Sequence, residues 1–299
     1  MEVCPMQVQE KYLAERAWYD TTKFRFKIAM TAIAIAYTRS GFAIAADSKA
    51  TTTAASGSHF TEDEPGDREQ KIVRVAAFGT TIAYGFSGFV AKSASYDLKG
   101  YAEAKAPKLA SREFRNGHEY GDALAQILER YLSAKKREGI IQYRENLDST
   151  PEDRMLIATV YVVGYCRERP FWLAMKFDHE NESAVSVRRG DQLDLIPGAC
   201  SGWGSDIVPE LAVRGDRRFD GYKDRLARDL RDASLDVARD WVSAYIEVCS
   251  EPLAEQIDPI CKNIGGPPHI ATVIKEHGFE WVVPPINVSE PDCDRETGP

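Results

Sequence analysis

The order and the periodicity of its elements predict an antiparallel α+β fold for this chain. Short apolar runs come first, two helical patterns follow, and then come further strands, further helices and a last pair of strands. Because the strands are grouped rather than alternating singly with helices, layers of antiparallel sheet and helix are favoured over a parallel sheet. With 299 residues, the chain has room for one large domain or two small ones.

The composition argues against several classes of protein. The net charge of −8 disfavours general nucleic-acid binding, which requires an excess of Lys and Arg. No apolar run approaches the roughly 20 residues that a membrane helix needs, so we expect no membrane partner. Residues 1–29 mix charges without the apolar segment of a secretory signal, which favours a cytoplasmic location. The six Cys and five His have no zinc-binding spacing, and we expect neither a metal nor a cofactor.

The first strand pair is the most informative stretch of the chain. Apolar and small residues alternate over residues 31–37, a turn containing Gly41 follows, and a second apolar run over 42–46 ends at a single carboxylate, Asp47. This pattern is typical of a β-hairpin. An acidic loop over residues 55–70 then leads to a second predicted hairpin.

The later segments predict the remaining layers. Helical periodicity covers two segments before residue 137 and a third from 221 to 256, and a small-residue turn at 198–204 precedes a short helix. Further strands are predicted at 71–78, 80–86, 155–166, 170–177, 184–188, 270–275 and 279–283. The polar tail, residues 287–299, has the composition of a disordered segment.

Thr31 is of chemical interest because a threonine with a free α-amine carries its own general base. That amine titrates near ~7.7–8 in the absence of other charges. A neighbouring lysine ammonium favours the neutral amine, a carboxylate holds the lysine in place, and a backbone N–H stabilises the oxyanion. The candidates are Thr31 as nucleophile, Asp47 as orienting carboxylate, Lys71 as cation, Gly85 as oxyanion donor and Ser201 as a supporting hydroxyl.

The segment TAIAIAYTRSGFAIAADSKAT, residues 31–51, resembles the start of a proteasome β subunit or of the bacterial heat-shock-locus V peptidase. Both are N-terminal-nucleophile hydrolases that begin with Thr and carry an Asp sixteen residues later. Lys71 in QKIVRV, Gly85 fourteen residues on and Ser201 in CSGWGS match further positions of that family. HIATVIKEHGFEWV is similar to its closing strand pair, and the resemblance extends over residues 31–285.

The resemblance implies a four-layer αββα sandwich that hydrolyses peptide bonds. It also implies that Ala50 and Thr51 line the substrate cleft, and that copies of the chain assemble into a homo-oligomeric ring. One segment departs from the family, which has an Asp and a Ser just before its penultimate strand. This chain reads CKNIGGPP there, with Gly265 in place of the Ser and Asp258 out of register.

The predicted chemistry requires a free amine on Thr31, and the sequence leaves three alternatives for residues 1–30. Met30 is the true initiator and is removed, or the segment is a propeptide released by self-cleavage, or it stays attached and the protein is inactive. The domain organisation expected is a leader over 1–30, a hydrolase domain over 31–286 and the tail.

The function expected is that of a threonine peptidase acting on peptides or proteins. Two alternatives remain open: a non-catalytic assembly subunit, and a small-molecule amidase on the same fold. Substrate preference and an ATPase partner are not indicated by any motif.

Overall fold

A computed structural model describes residues 31–49, 70–77, 80–88, 96–141, 156–181, 183–192 and 195–285. In these ranges ten strands form two antiparallel sheets of five strands each. The predicted leader, residues 1–30, and the predicted tail, residues 287–299, lie outside the described residues. The division of the chain into leader, domain and tail therefore stays a prediction.

The first sheet comprises β1 (Ile33–Thr38), β2 (Gly41–Ala46), β8 (Cys200–Trp203), β9 (His269–Ile274) and β10 (Gly278–Val283). The second comprises β3 (Ile72–Ala77), β4 (Thr80–Gly88), β5 (Leu156–Cys166), β6 (Arg169–His179) and β7 (Val185–Gln192). The strand order is β10-β9-β2-β1-β8 in the first sheet and β3-β4-β5-β6-β7 in the second.

Helices cover the outer face of each sheet. The second sheet is covered by α1 (Leu98–Ala110) and α2 (Gly117–Arg137), and α5 (Leu235–Ser250) lies on the first sheet. Around α5 lie α3 (Ile207–Val213), α4 (Lys223–Leu226), α6 (Ala254–Ile257) and two 3-10 helices, Arg217–Tyr222 and Pro259–Asn263. The sequence supplies caps for the longer helices: the side chains of Asp97, Asn116 and Ser234 accept hydrogen bonds from the first turns of α1, α2 and α5.

The alternation of Ala and Ile along β1 explains how the layers pack. Ala34 and Ala36 face the helical layer around α5, whereas Ile33 and Ile35 face the second sheet. Both faces of β1 are buried, and the small side chains on one face let the helix approach closely, while the large side chains fill the space between the sheets. The predicted four-layer αββα sandwich is therefore confirmed.

The predicted turn over residues 198–204 is wrong in part, because residues 200–203 form the edge strand β8. Ser201 lies opposite Ile35 and Trp203 opposite Ile33 in this pairing. Gly202 pairs with Ala34 in this strand. A side chain is excluded there because the Tyr245 ring of α5 packs against Gly202, and a Cβ would stand 2.1 Å from that ring. A glycine required for close packing thus resembles a turn glycine in the sequence.

The helical prediction over 221–256 is also only partly correct, since α4 ends at Leu226 and α5 begins at Leu235. Trp241 on α5 donates its indole N–H to the Leu226 carbonyl at 3.1 Å, which fastens the end of α4 to the longer helix. In the described ranges, none of the helices combines the length and the apolar character needed to cross a lipid bilayer.

Gly202→Ala is expected to lower the free energy of unfolding by about 1–3 kcal/mol, because the added methyl overlaps the Tyr245 ring. Urea unfolding measures the change. Gly221→Ala is the matched control, since a Cβ at Gly221 meets no atom within 4 Å. Equal stability of the two variants would contradict the close packing of β8 on α5.

Candidate active site

A buried carboxylate, that of Asp47, lies at the centre of the candidate site. It follows β2 directly and is fully buried. Its Oδ1 accepts the Ala32 N–H at 2.9 Å. Its Oδ2 accepts the Lys71 ammonium at 2.9 Å and the N–H groups of Lys49 and Gly265 at 3.3 Å each. Four donors therefore converge on one buried carboxylate.

Burial raises the pKa of the Asp47 carboxyl, because desolvation disfavours its charged form. The Lys71 ammonium and the N–H groups of Gly265 and Ala32 oppose this rise. Without these donors the carboxyl would be protonated more readily and would hold Lys71 less well. The donors thus preserve the ion pair in a site from which water is excluded.

Lys71 joins the two sheets at this point. It immediately precedes β3, is 4% exposed, and donates to Asp47 Oδ2 and to the Lys49 carbonyl at 2.6 Å. The Lys71 carbonyl accepts the Phe86 N–H at 3.0 Å, which fixes the start of β3 against β4. Two of the three ammonium protons are used, and no acceptor for the third is found in the described part of the chain.

Thr31 lies one residue from the Asp47 network. Its neighbour Ala32 donates to the carboxylate, and its own N–H donates to Ser87 Oγ at 3.4 Å. Thr31 is itself buried, with 6% of its surface exposed. The structure therefore places Thr31 beside the Asp47–Lys71 pair, and the catalytic roles of the three residues stay a prediction.

Ser87 is a site residue that the sequence analysis missed. The strand predicted over residues 80–86 ends before Ser87, whereas β4 continues to Gly88. The alternation of side chains along a strand could have identified Ser87, because residue 87 lies two positions after Gly85 and therefore on the same face of the sheet.

Gly85 lies within β4, between Ile72 of β3 and Tyr161 of β5. A Cβ built on Gly85 would meet the side chains of Ile33 at 3.2 Å and Ile44 at 3.5 Å, so this glycine faces the apolar core between the sheets. The β4 residue with a hydrogen bond to Thr31 is Ser87, and the role of Gly85 as oxyanion donor stays a prediction.

Ser201 is not the serine next to the start of β1. It lies in β8 opposite Ile35, four residues along β1 from Thr31. Three residues further on, Gly204 packs against Ala32, and a Cβ built on Gly204 would stand 3.2 Å from the Ala32 Cβ. The following residue, Ser205, is therefore closer than Ser201 to the start of β1, where Thr31 lies.

Ser205 is fully buried and held by groups from three elements. Its Oγ donates to Asp258 Oδ2 at 2.7 Å and accepts the N–H of Val208, in the first turn of α3, at 3.1 Å. Its carbonyl accepts the Tyr245 hydroxyl of α5 at 2.9 Å. Asp258, out of register in the sequence, is thus brought to a serine 53 residues away. The contact joins two loops, and the sequence pattern of neither loop predicts it.

His269 is a further buried polar residue near the pair. It opens β9 opposite Ala46 and is 3% exposed, and its Nε2 has no hydrogen-bond partner in the described ranges. Desolvation, with the charges of Lys71 and Lys99, lowers its pKa from 6.5 to about 4. Neutral imidazole is therefore the form next to the ion pair at neutral pH.

The predicted cleft residues Ala50 and Thr51 lie outside the described residues and remain predictions. Among the residues that the structure does describe, no group of His, Cys, Asp and Glu has an arrangement that would hold a metal ion.

The depressed pKa of His269 predicts a loss of stability in acid. Above pH 6.5 the imidazole is neutral in both the folded and the unfolded chain. Below pH 6.5 the imidazole binds a proton in the unfolded chain but stays neutral in the folded chain. Stability is therefore lost as the pH falls from 6.5 to about 4, by up to about 3 kcal/mol.

The measurement is urea unfolding between pH 7 and pH 4 for the parent chain and for His269→Gln, which is expected to lose less stability. His179, whose pKa burial also lowers to about 4, contributes equally in both proteins and cancels from the difference. The exposed His277 provides the control variant His277→Gln. A His269→Gln profile parallel to that of the parent would show that His269 is protonated in the folded chain.

Comparison with known proteins gives a likeness of fold only. No family model matches the sequence, and no curated protein matches it. Among solved structures, the chain is similar to Anbu from Yersinia bercovieri, described as an ancestral β-subunit, with 13% identity over 87% of this chain and 88% of that chain and a TM-score of 0.47. It is also similar to a Gly-1 mutant of Anbu from Hyphomicrobium sp. strain MC1, with 11% identity over 85% and 87% of the two chains and a TM-score of 0.46.

These comparisons correct the family that the sequence resemblance suggested. The similar solved structures are Anbu proteins, and the assignment to proteasome β subunits or to the heat-shock-locus V peptidase was wrong. A short motif of 21 residues, together with single matches further along the chain, was too little to distinguish one group of proteins with this hairpin from another.

Proposed function

We propose that the chain is a threonine-type N-terminal-nucleophile hydrolase that cleaves peptide bonds. The observation that supports this most strongly is the buried Asp47–Lys71 ion pair, joined through Ala32 to the residue that would be the nucleophile, Thr31. Groups whose pKa is shifted by burial together with a specific charged partner, as that of Asp47 is, cluster at functional sites.

In this proposal the Thr31 α-amine takes the proton of the Thr31 hydroxyl as Oγ attacks the substrate carbonyl carbon. The tetrahedral intermediate collapses as the ammonium so formed gives that proton to the leaving amine, and a threonyl ester results. A water molecule, deprotonated by the same amine, then attacks the ester, and the Thr31 hydroxyl is restored.

The other residues act on the amine. Lys71 keeps the amine neutral by electrostatic repulsion of its protonated form, and Asp47 holds Lys71. The Ser87 hydroxyl, which accepts from the Thr31 nitrogen, orients the amine so that its lone pair remains available to the Thr31 hydroxyl. Ser205 and Asp258 support the loop packed against Ala32.

A second candidate, a non-catalytic subunit of a homo-oligomeric assembly, is favoured by one observation. Thr31 is only 6% exposed, and with residues 1–30 attached its nitrogen is an amide, which is not a base. In that form the ion pair would be a structural connection between the two sheets. The two candidates therefore differ in one covalent bond, between Met30 and Thr31.

Thr31→Ala is expected to reduce kcat for hydrolysis of fluorogenic peptide amides by about 10³-fold or more, because the nucleophile is removed. Thr31→Ser, which keeps a hydroxyl and an amine, is the matched control and is expected to retain measurable turnover. Both variants should unfold within about 1 kcal/mol of the parent chain. Undiminished hydrolysis by Thr31→Ala would reject a threonine nucleophile, whereas activity on small amides but not on peptides would favour an amidase.

Mass spectrometry under denaturing conditions is expected to show that the protein from its native cells begins at Thr31. Under native conditions, mass spectrometry is expected to show a particle of several chains. The first follows from the need for a free amine, and the second from the proposed homo-oligomer. A chain that retains residues 1–30 in an intact particle would support the non-catalytic subunit, and a monomer that begins at Thr31 would contradict the assembly.

A further inference from the structure

The turn before β9 is bonded to the segment that follows Asp47. The Gly265 N–H donates to Asp47 Oδ2 at 3.3 Å, and the Gly265 carbonyl accepts the N–H groups of Ser48 at 3.1 Å and Lys49 at 2.9 Å. A fourth bond runs from Lys49 Nζ to the Lys262 carbonyl at 2.8 Å. The backbone N–H and carbonyl of Gly265, together with the Lys262 carbonyl, thus hold three consecutive residues of the candidate site.

Both acceptors of the Lys71 ammonium depend on this turn. One is Asp47 Oδ2, which Gly265 contacts directly, and the other is the Lys49 carbonyl, whose own residue is bonded to Gly265 through its N–H. The ammonium is therefore located by two oxygens that belong to a segment fastened to Gly265.

The backbone at this turn requires glycine. Gly266 has a φ of +73°, which residues with a Cβ rarely adopt. A Cβ at Gly266 would also stand 2.3 Å from Ser48 Oγ, a group that is 2% exposed. The close approach of the turn to residues 47–49 is thus possible because Gly266 carries no side chain.

We propose that the Gly265 backbone is a positioning group for the Asp47–Lys71 pair: its N–H holds the carboxylate, and its carbonyl holds the segment, residues 48 and 49, that supplies the second acceptor for the ammonium. The inference rests on the proposed function. It also gives a physical role to the glycine found where a serine was expected, since here backbone groups bond to Asp47.

Loss of the Gly265 N–H would leave Asp47 with three donors instead of four. The carboxyl would then be protonated at higher pH, because a hydrogen bond to the charged form is removed. Among the described residues, the buried His269 lies within reach of the charges of Lys71 and Lys99, and the Lys49 ammonium donates to the Lys262 carbonyl. Since Gly265 acts on Lys71 and through it on the Thr31 amine, kcat should change more than KM.

Gly265→Pro removes this N–H, and Gly265→Ala keeps it. Ile264, at φ −107° and ψ 137°, already has the extended conformation that a residue before proline adopts. We expect Gly265→Pro to lower kcat by about 10- to 100-fold, with KM changed less than about 3-fold, and to move the acidic limb of the kcat profile to higher pH. Gly265→Ala is expected to lose much less, since its Cβ meets only the flexible Lys49 side chain at 3.3 Å.

A second pair of variants keeps the test valid if the proline variant fails to fold. Gly266→Ala and Gly139→Ala place alanine at the same φ of +73°, but a Cβ at Gly139 meets no atom within 4 Å. Gly266→Ala is expected to lower kcat, whereas Gly139→Ala lowers only the free energy of unfolding. The double variant Ser48→Ala/Gly266→Ala removes the contacting Oγ and should recover part of the lost kcat.

The outcomes separate this inference from the proposed function. If Thr31→Ala is inactive while Gly265→Pro matches Gly265→Ala in kcat and in pH profile, Gly265 has no positioning role and the threonine mechanism stands. If Gly266→Ala loses no more activity than Gly139→Ala, the inference is likewise overturned. If Thr31→Ala remains active, the proposed function fails first, whatever the glycine variants show.

Discussion

The ion pair between Asp47 and Lys71 is the interaction on which the rest of the site depends. A charge removed from water is costly unless it is paired and hydrogen-bonded, and breaking such a pair by removing one partner typically costs about 3–5 kcal/mol. The structure meets this requirement with donors from three places in the chain: Ala32 before β1, Lys49 after β2, and Gly265 before β9. Satisfying one buried carboxylate therefore fixes the relative positions of several chain segments.

The same pair connects the two sheets. Asp47 follows a strand of the first sheet and Lys71 precedes a strand of the second, so the bond between them lies at one end of the sandwich. Apolar packing of Ile33 and Ile44 against Gly85 brings the sheets into contact just inside that end. Non-directional packing thus sets the distance between the sheets, and the directional ion pair sets the arrangement of the polar groups where they end.

Several site residues could be predicted because they belong to a local pattern. Thr31, Asp47 and Lys71 lie at ends of strands whose apolar periodicity is visible in the sequence, and strand ends are where polar side chains can converge. Ser205, Asp258 and Gly265 could not be predicted, because each is placed by a contact with a residue far along the chain. Gly85 and Ser201 were chosen by spacing; the β4 residue that bonds to Thr31 is Ser87, and Ser205, next to the start of β1, follows the strand that contains Ser201.

The sequence by itself determined the two sheets, their antiparallel hairpins and the helical layers, since alternation and helical periodicity record which faces are buried. It also determined which ionisable residues were available at the start of β1, the end of β2 and the start of β3. The tertiary structure decided that Gly202 belongs to a strand, that Ser87 contacts Thr31, and that a glycine turn supports Asp47. The physical reason is that packing distances and hydrogen bonds between remote segments depend on how the layers meet, and no local pattern of residues specifies that.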